Sequence, residues 1–191
     1  MPVTIGAKRE NDFSDPIAML SDCHRRIERF LDVLIAVAGE ARGAPPAADQ
    51  RMAFENALRY FRDAAPKHTA DEEESLFPRL RRLGTPEAEA LIARADSLRE
   101  DHIRAEMSHQ QVERLGQAWL ADGRLAPEDA ARLAELLAGL QDLYRQHIAV
   151  EERELFPAAA RLLSAADCRA VGAEMAARRG VAISSAIPDV R

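Results

Sequence analysis

The chain has 191 residues, 47% apolar and 30% charged, a composition that excludes fibrous and disordered classes and suffices for one domain with a sizeable core. A net charge of −6, with no basic run interleaved with aromatics, argues against a partner whose backbone must be neutralised, such as nucleic acid, and favours a small molecule or ion. The polar start MPVTIGAKRENDFSDP lacks the apolar core of a secretory signal, no apolar run of about 18 residues could span a membrane, and Cys23 and Cys168 are too few for a disulfide framework, so the expected setting is cytoplasmic.

Strand signals are nearly absent, and long stretches rich in Ala, Leu, Arg and Glu carry apolar residues at helical spacing, so the fold is expected to be all-α. Residues 1–14 read as a flexible extension. Ser14-Asp15-Pro16 is a helix start, and Ile17, Leu20, Ile27, Leu31, Leu34 and Ile35 mark the apolar stripe of a first helix from about Asp15 to Ala41. Gly43-Ala44-Pro45-Pro46 breaks the pattern, and a second helix follows from about Ala48 to Leu83, with Pro66 and Pro78 as kinks or restarts. Thr85 caps and Pro86 opens a third helix that runs to about Leu120; Asp122-Gly123 and Pro127 enclose the next turn, and a fourth helix runs to about Leu163 with Pro157 inside it. Ser164-Ala165-Ala166-Asp167 then resembles a capping box and opens a shorter fifth helix over 164–180, followed by a flexible tail over 181–191. The short connections force neighbours antiparallel, which predicts an up-down-up-down four-helix bundle over 15–163 with a short fifth C-terminal helix at one end.

Four histidines each stand four residues before a glutamate in a repeated arrangement: His24 with Glu28, His68 with Glu72, His102 with Glu106 and His147 with Glu151. One helical turn apart, each pair can aim an imidazole and a carboxylate at a common point. Helix by helix, the distances in residues from each histidine to its nearest connection differ so little that the four sit within about 2–5 Å of one level of the bundle, at about 1.5 Å of rise per residue. The chain also repeats itself. Leu20 to Glu28 resembles Leu98 to Glu106, and His68-Thr-Ala-Asp-Glu-Glu-Glu-Ser-Leu-Phe-Pro78 resembles His147-Ile-Ala-Val-Glu-Glu-Arg-Glu-Leu-Phe-Pro157, with the two histidines of each half 44 and 45 residues apart.

Imidazole and carboxylate donors without thiolates suit iron, manganese or zinc, and bridging carboxylates favour a pair of ions in a bundle core. Iron is the first choice. Each half would give one ion two histidines from neighbouring helices, while Glu72 and Glu151 reach across to both, leaving positions where dioxygen, peroxide or nitric oxide could bind. Glu28 and Glu106 are further candidate ligands that could instead pair with arginines on their own helices. Of the neighbouring carboxylates Glu73, Glu74 and Glu152, most read as a solvated face and one as a support behind the ligands. His109 reads as a support or surface residue, Cys23 as core packing, and Phe77 and Phe156 as a hydrophobic plug that could also limit access. Trp119 and Cys168 suggest no role.

These residues resemble the hemerythrin-like family, bacterial domains named for their His-His-Glu pattern, over about Asp15 to Leu163. The resemblance rests on His24, on His68-Thr-Ala-Asp-Glu72 with Leu-Phe-Pro78, on His102, and on His147-Ile-Ala-Val-Glu151 with Leu-Phe-Pro157. It implies His24, His68, Glu72, His102, His147 and Glu151 as ligands of a non-haem di-iron centre, oxo- or carboxylate-bridged. Oxygen-carrying members place a further histidine one turn after that on the third helix, where this chain has Glu106; a site richer in carboxylate favours oxidised iron and irreversible chemistry. The expected function is therefore binding, sensing or consuming oxygen, peroxide or nitric oxide, or handling iron for repair. The alternative is a regulatory or interaction module whose iron, zinc or manganese is structural.

Overall fold

Asp15 accepts a hydrogen bond from the Ala18 amide at 3.0 Å and Pro16 takes the first helical position, so α1 (Pro16–Ala41) begins at its sequence signal. This computed structural model describes residues 11–182; the rest of the expected extension and tail, residues 1–10 and 183–191, lies outside the described residues. Residues 11–14 are held against the bundle. The Asn11 amide donates to Asp22 at 2.7 Å, and the Phe13 carbonyl approaches Gly172 so closely that a Cβ there would lie 1.9 Å from its oxygen.

The two long rods predicted over 48–83 and 127–163 are each broken. The first consists of α2 (Ala48–Asp63), α3 (Ala65–Ala70), a π-helical turn (Asp71–Leu76) and α4 (Phe77–Arg82). Pro66 has no N–H to donate, and the rod is interrupted at Ala64 just before it. After α5 (Pro86–Asp122), capped by Thr85, the second rod consists of α6 (Pro127–Val150), a π-helical turn (Glu151–Leu155) and α7 (Phe156–Leu162). The two π turns share one cause. In each, the amide before a proline, that of Phe77 or Phe156, donates to the carbonyl five residues back, on Glu72 or Glu151. A proline ring clashes with the carbonyl four residues behind it, and the wider turn relieves that clash at Pro78 and Pro157.

α1 packs on α2 and α6, and α5 on the same two, which closes the up-down-up-down bundle; α8 (Ala165–Arg178), capped by Ser164, lies against α1 and the first π turn. There is no strand among the described residues, and no helix there is long and apolar enough to cross a membrane. The apolar interior is in two parts. One, built on Leu34, Phe54, Leu58, Leu115, Trp119 and Leu137, fills the end nearest the α1–α2 connection. The other, built on Leu20, Leu76, Leu80, Leu155, Phe156, Val171 and Met175, fills the end that α8 covers. Trp119, silent in the sequence, ties the first end shut: its indole N–H donates to the Ala44 carbonyl at 3.0 Å.

Candidate metal centre

Between the two apolar clusters lie six buried polar side chains, His24, His68, Glu72, His102, His147 and Glu151, of which only His102 retains more than slight exposure. One donor atom from each of His24, His68, Glu72 and Glu151 lies within 4.8 Å of the others, and the same holds for Glu72, His102, His147 and Glu151. The two carboxylates thus belong to both groups. Four Nε2 atoms face them: His24 at 3.1 Å and His147 at 3.2 Å from Glu151 Oε2, His68 at 3.4 Å from Glu72 Oε1, and His102 at 3.6 Å from Glu72 Oε2. His102 Nε2 also stands 3.1 Å from His147 Nε2.

These approaches are close without being hydrogen bonds for the carboxylates. All four oxygens of Glu72 and Glu151 are buried with no hydrogen-bond partner, and His24 Nε2 is likewise unpartnered. Burying such groups unsatisfied costs several kcal/mol as an order of magnitude. A cation at their common focus would satisfy them all, and imidazole with carboxylate is a donor set that iron, manganese and zinc accept. The residues present fit a metal pair.

The outer ring nitrogens are held by carboxylates that cross between the halves. His24 Nδ1 donates to Glu152 at 2.7 Å, with Ser21 Oγ on the other oxygen of that carboxylate at 3.0 Å, and His102 Nδ1 donates to Glu73 at 2.9 Å. Asp101 stands 3.5 Å from His147 Nδ1. Each half's second glutamate therefore orients a histidine of the other half, turning its Nε2 lone pair inward. Only one such support was expected among Glu73, Glu74 and Glu152; the doubled glutamates at 72–73 and 151–152 were its visible signal. Phe156 adds a third restraint, stacking on the His24 ring at 5.1 Å.

Electrostatics follow the same geometry. Burial, then the charge of Glu151, pushes Glu72 well above the usual carboxylate range. Burial opposes ionisation of Glu151 too, but the His147 and His24 imidazoles beside it hold it low. Burial weakens His68 and His102 as bases, whereas at His24 it is outweighed by Glu151 and Glu152, which raise it.

Glu28 and Glu106 share the spacing of Glu72 and Glu151 but not their place. Both are exposed and belong to neither group; Glu106 accepts from Gln110 at 3.3 Å, and Glu28 faces an outer groove beside Arg25, Arg29 and Asp32. On α1 and α5 the buried stripe steps from the histidine to Ile27 and to Ala105, three residues on, so the fourth residue turns outward. On the other two rods the π turn begins at or just before the glutamate and keeps it on the inner face.

His109 is no neighbour of the six. It stacks on Phe61 at 4.2 Å and pairs through Nε2 with the Tyr144 hydroxyl at 2.9 Å. Burial pushes it down to about 4. A base lowered by folding is protonated first in the unfolded chain, whose histidines titrate near 6.5, so stability falls as pH drops from about 6.5 towards 4, by about 3 kcal/mol in all. His109→Gln should flatten that limb of the profile, as read by urea unfolding of metal-free protein between pH 7 and pH 4.

A cavity of about 670 Å³ adjoins the cluster, lined by His24, His68, His102 and His147 together with Leu34, Leu58, Phe61 and Leu143. Glu73, Glu74 and Glu106 stand on its lining with Arg62 and Arg99.

The family model for the hemerythrin HHE cation-binding domain matches residues 15–159, the span of the bundle. An uncharacterised protein of Haemophilus influenzae is 31% identical over a 173-residue alignment that covers 88% of this chain and 92% of the relative.

Proposed function

Because the chain belongs to the hemerythrin HHE cation-binding family, we propose that the six-residue cluster holds a non-haem di-iron centre that binds or consumes a small oxidant or diatomic ligand such as dioxygen, peroxide or nitric oxide. In this reading His24 and His68 hold one ion, His102 and His147 the other, and Glu72 and Glu151 serve both. The observation that carries it is the pair of fully buried carboxylates whose four oxygens find no hydrogen bond, enclosed by four imidazoles.

Bound iron would supply redox capacity and open coordination positions for the small ligand. The chain's own residues do the rest. Glu152 and Glu73 keep the protons of His24 and His102 on Nδ1, so that Nε2 is free to donate its lone pair. The apolar clusters on either side exclude bulk water, and the adjoining cavity has room for a molecule of a few atoms. With Glu106 exposed, the first-coordination set is four imidazoles and two carboxylates, less carboxylate-rich than the sequence suggested.

That cavity favours a reactive centre over one that only fastens helices together, since a structural site is closed. The test is optical. Protein loaded with iron(II) anaerobically and then exposed to air should gain near-ultraviolet charge-transfer absorption that shifts on adding azide or peroxide. A loaded protein whose spectrum ignores air, azide and peroxide would leave the metal with a structural role.

A further inference from the structure

Asp71, next to Glu72 in the first π turn, is a wholly buried carboxylate, and two arginines neutralise it, the last residue of α8 and the one that caps it. Arg178 donates to Asp71 Oδ1 at 2.8 Å and Arg179 to Oδ2 at 2.6 Å, one guanidinium on each oxygen. Arg178 also reaches Ser75 Oγ at 2.8 Å and Glu74 at 3.1 Å, so that it grips the turn at three residues. A second grip runs the other way. Arg79 on α4 donates to the Ser75 carbonyl at 2.8 Å and forks onto Glu174 of α8 at 2.9 and 2.7 Å. Arg178 alone thus reaches the π turn on both sides of Glu72, at Asp71 and at Glu74 and Ser75, while the Arg79–Glu174 pair fastens α4 to α8 beyond it.

The other half of the internal repeat has nothing comparable among the described residues. Aligning His68 with His147 puts Val150 where Asp71 stands, and Arg153 and Glu154 where Glu74 and Ser75 stand. Glu154 meets Arg94 on the surface at 3.3 Å, with both side chains largely exposed, where an ion pair fixes little. A buried, doubly bonded carboxylate is different in kind: a charge-assisted hydrogen bond on each oxygen sets its geometry, and breaking the pair leaves a charge without a partner.

We propose that Arg178 and Arg179, acting through Asp71, are positioning residues for Glu72, and that α8 is the element that holds the first bridging carboxylate in place for metal. The proposal rests on the metal-centre reading above. It makes the two halves of the repeat inequivalent: Glu151 is held by its histidines and the turn's own packing, whereas Glu72 depends on a helix outside the four-helix bundle.

The test measures iron(II) affinity and stoichiometry anaerobically, with far-ultraviolet circular dichroism and the melting temperature of the metal-free protein alongside. The double variant R178Q/R179Q should keep its helix content and weaken iron(II) binding by roughly 10–100-fold, the range typical of lost outer supports. Glu174→Gln removes the second grip without touching Asp71; it should lower the metal-free melting temperature while changing iron(II) affinity less than about threefold. Should the double variant fail to fold, Arg179→Gln alone, which leaves Arg178 on Asp71, should weaken binding by several-fold at unchanged helicity. Unchanged affinity in the arginine variants would overturn the proposal, as would equal weakening in Glu174→Gln, which would mean that α8 merely stabilises the fold. If wild-type protein binds no iron(II), the metal-centre reading falls and this one with it, an outcome distinct from wild-type binding that the arginine variants leave intact.

Discussion

Glu151→Ala is expected to abolish the stabilisation that metal gives this protein while leaving the metal-free fold intact. Glu151 Oε2 lies 3.1 and 3.2 Å from histidines of two different helices and belongs to both donor groups, so in the proposed centre its loss would remove a ligand from each ion at once. At a metal concentration of about 1,000 times Kd, binding to the folded state alone adds about 4 kcal/mol. For a chain of this size that corresponds to a rise of roughly 8–16 °C in melting temperature. Wild type should show that rise on adding iron(II), and Glu151→Ala should show almost none. In the metal-free state the variant should keep its helix content and melt cooperatively, since truncation loses the attraction of the His24 and His147 imidazoles but also relieves a buried carboxylate that has no hydrogen bond. Differential scanning calorimetry with and without metal checks both halves; an equal metal-dependent rise in the variant would remove Glu151 from the site.

Trp119→Ala should do the opposite. The indole is 1% exposed, packs edge-on against Phe54 at 5.2 Å and closes the α1–α2 connection through Ala44. Truncating a buried tryptophan costs about 3–5 kcal/mol, or a fall of roughly 6–20 °C in melting temperature. Trp119→Phe, which keeps most of the volume and loses the hydrogen bond, should cost about 1–2 kcal/mol. Because the polar layer is built on other turns of the bundle, the metal-dependent rise should survive in both variants. Loss of that rise in Trp119→Ala at temperatures where the protein is still folded would show that the two layers are one cooperative unit.

These two residues mark what could and could not be read from the chain. Helix starts were plain because their chemistry is local: Asp15 before Pro16, Thr85 before Pro86 and Ser164 all cap as their side chains require. The histidines were legible for the same reason, since four of them at one depth leave little else to do. The π turns were not. Their cause, a proline one residue beyond Phe77 and Phe156, was visible, but a helical period cannot register a single widened turn, and that turn is what separates Glu72 and Glu151 from Glu28 and Glu106. Closer attention to the stripe would have found the difference, because Ile27 and Ala105 already occupy the inward positions that follow His24 and His102. Trp119 and the Asp71–Arg178–Arg179 clasp were hidden for another reason: their partners lie 75, 107 and 108 residues away, and no local pattern encodes such a pairing.

The proposed centre places two iron ions in one buried layer built by six residues. Its most direct measurement is the metal content of anaerobically reconstituted, desalted protein, taken together for wild type and for His68→Ala and His102→Ala, which remove one histidine from each donor group. About two irons per wild-type chain and a clear loss in each variant are expected. Wild-type protein that retains no iron, or variants that retain as much as wild type, would contradict it.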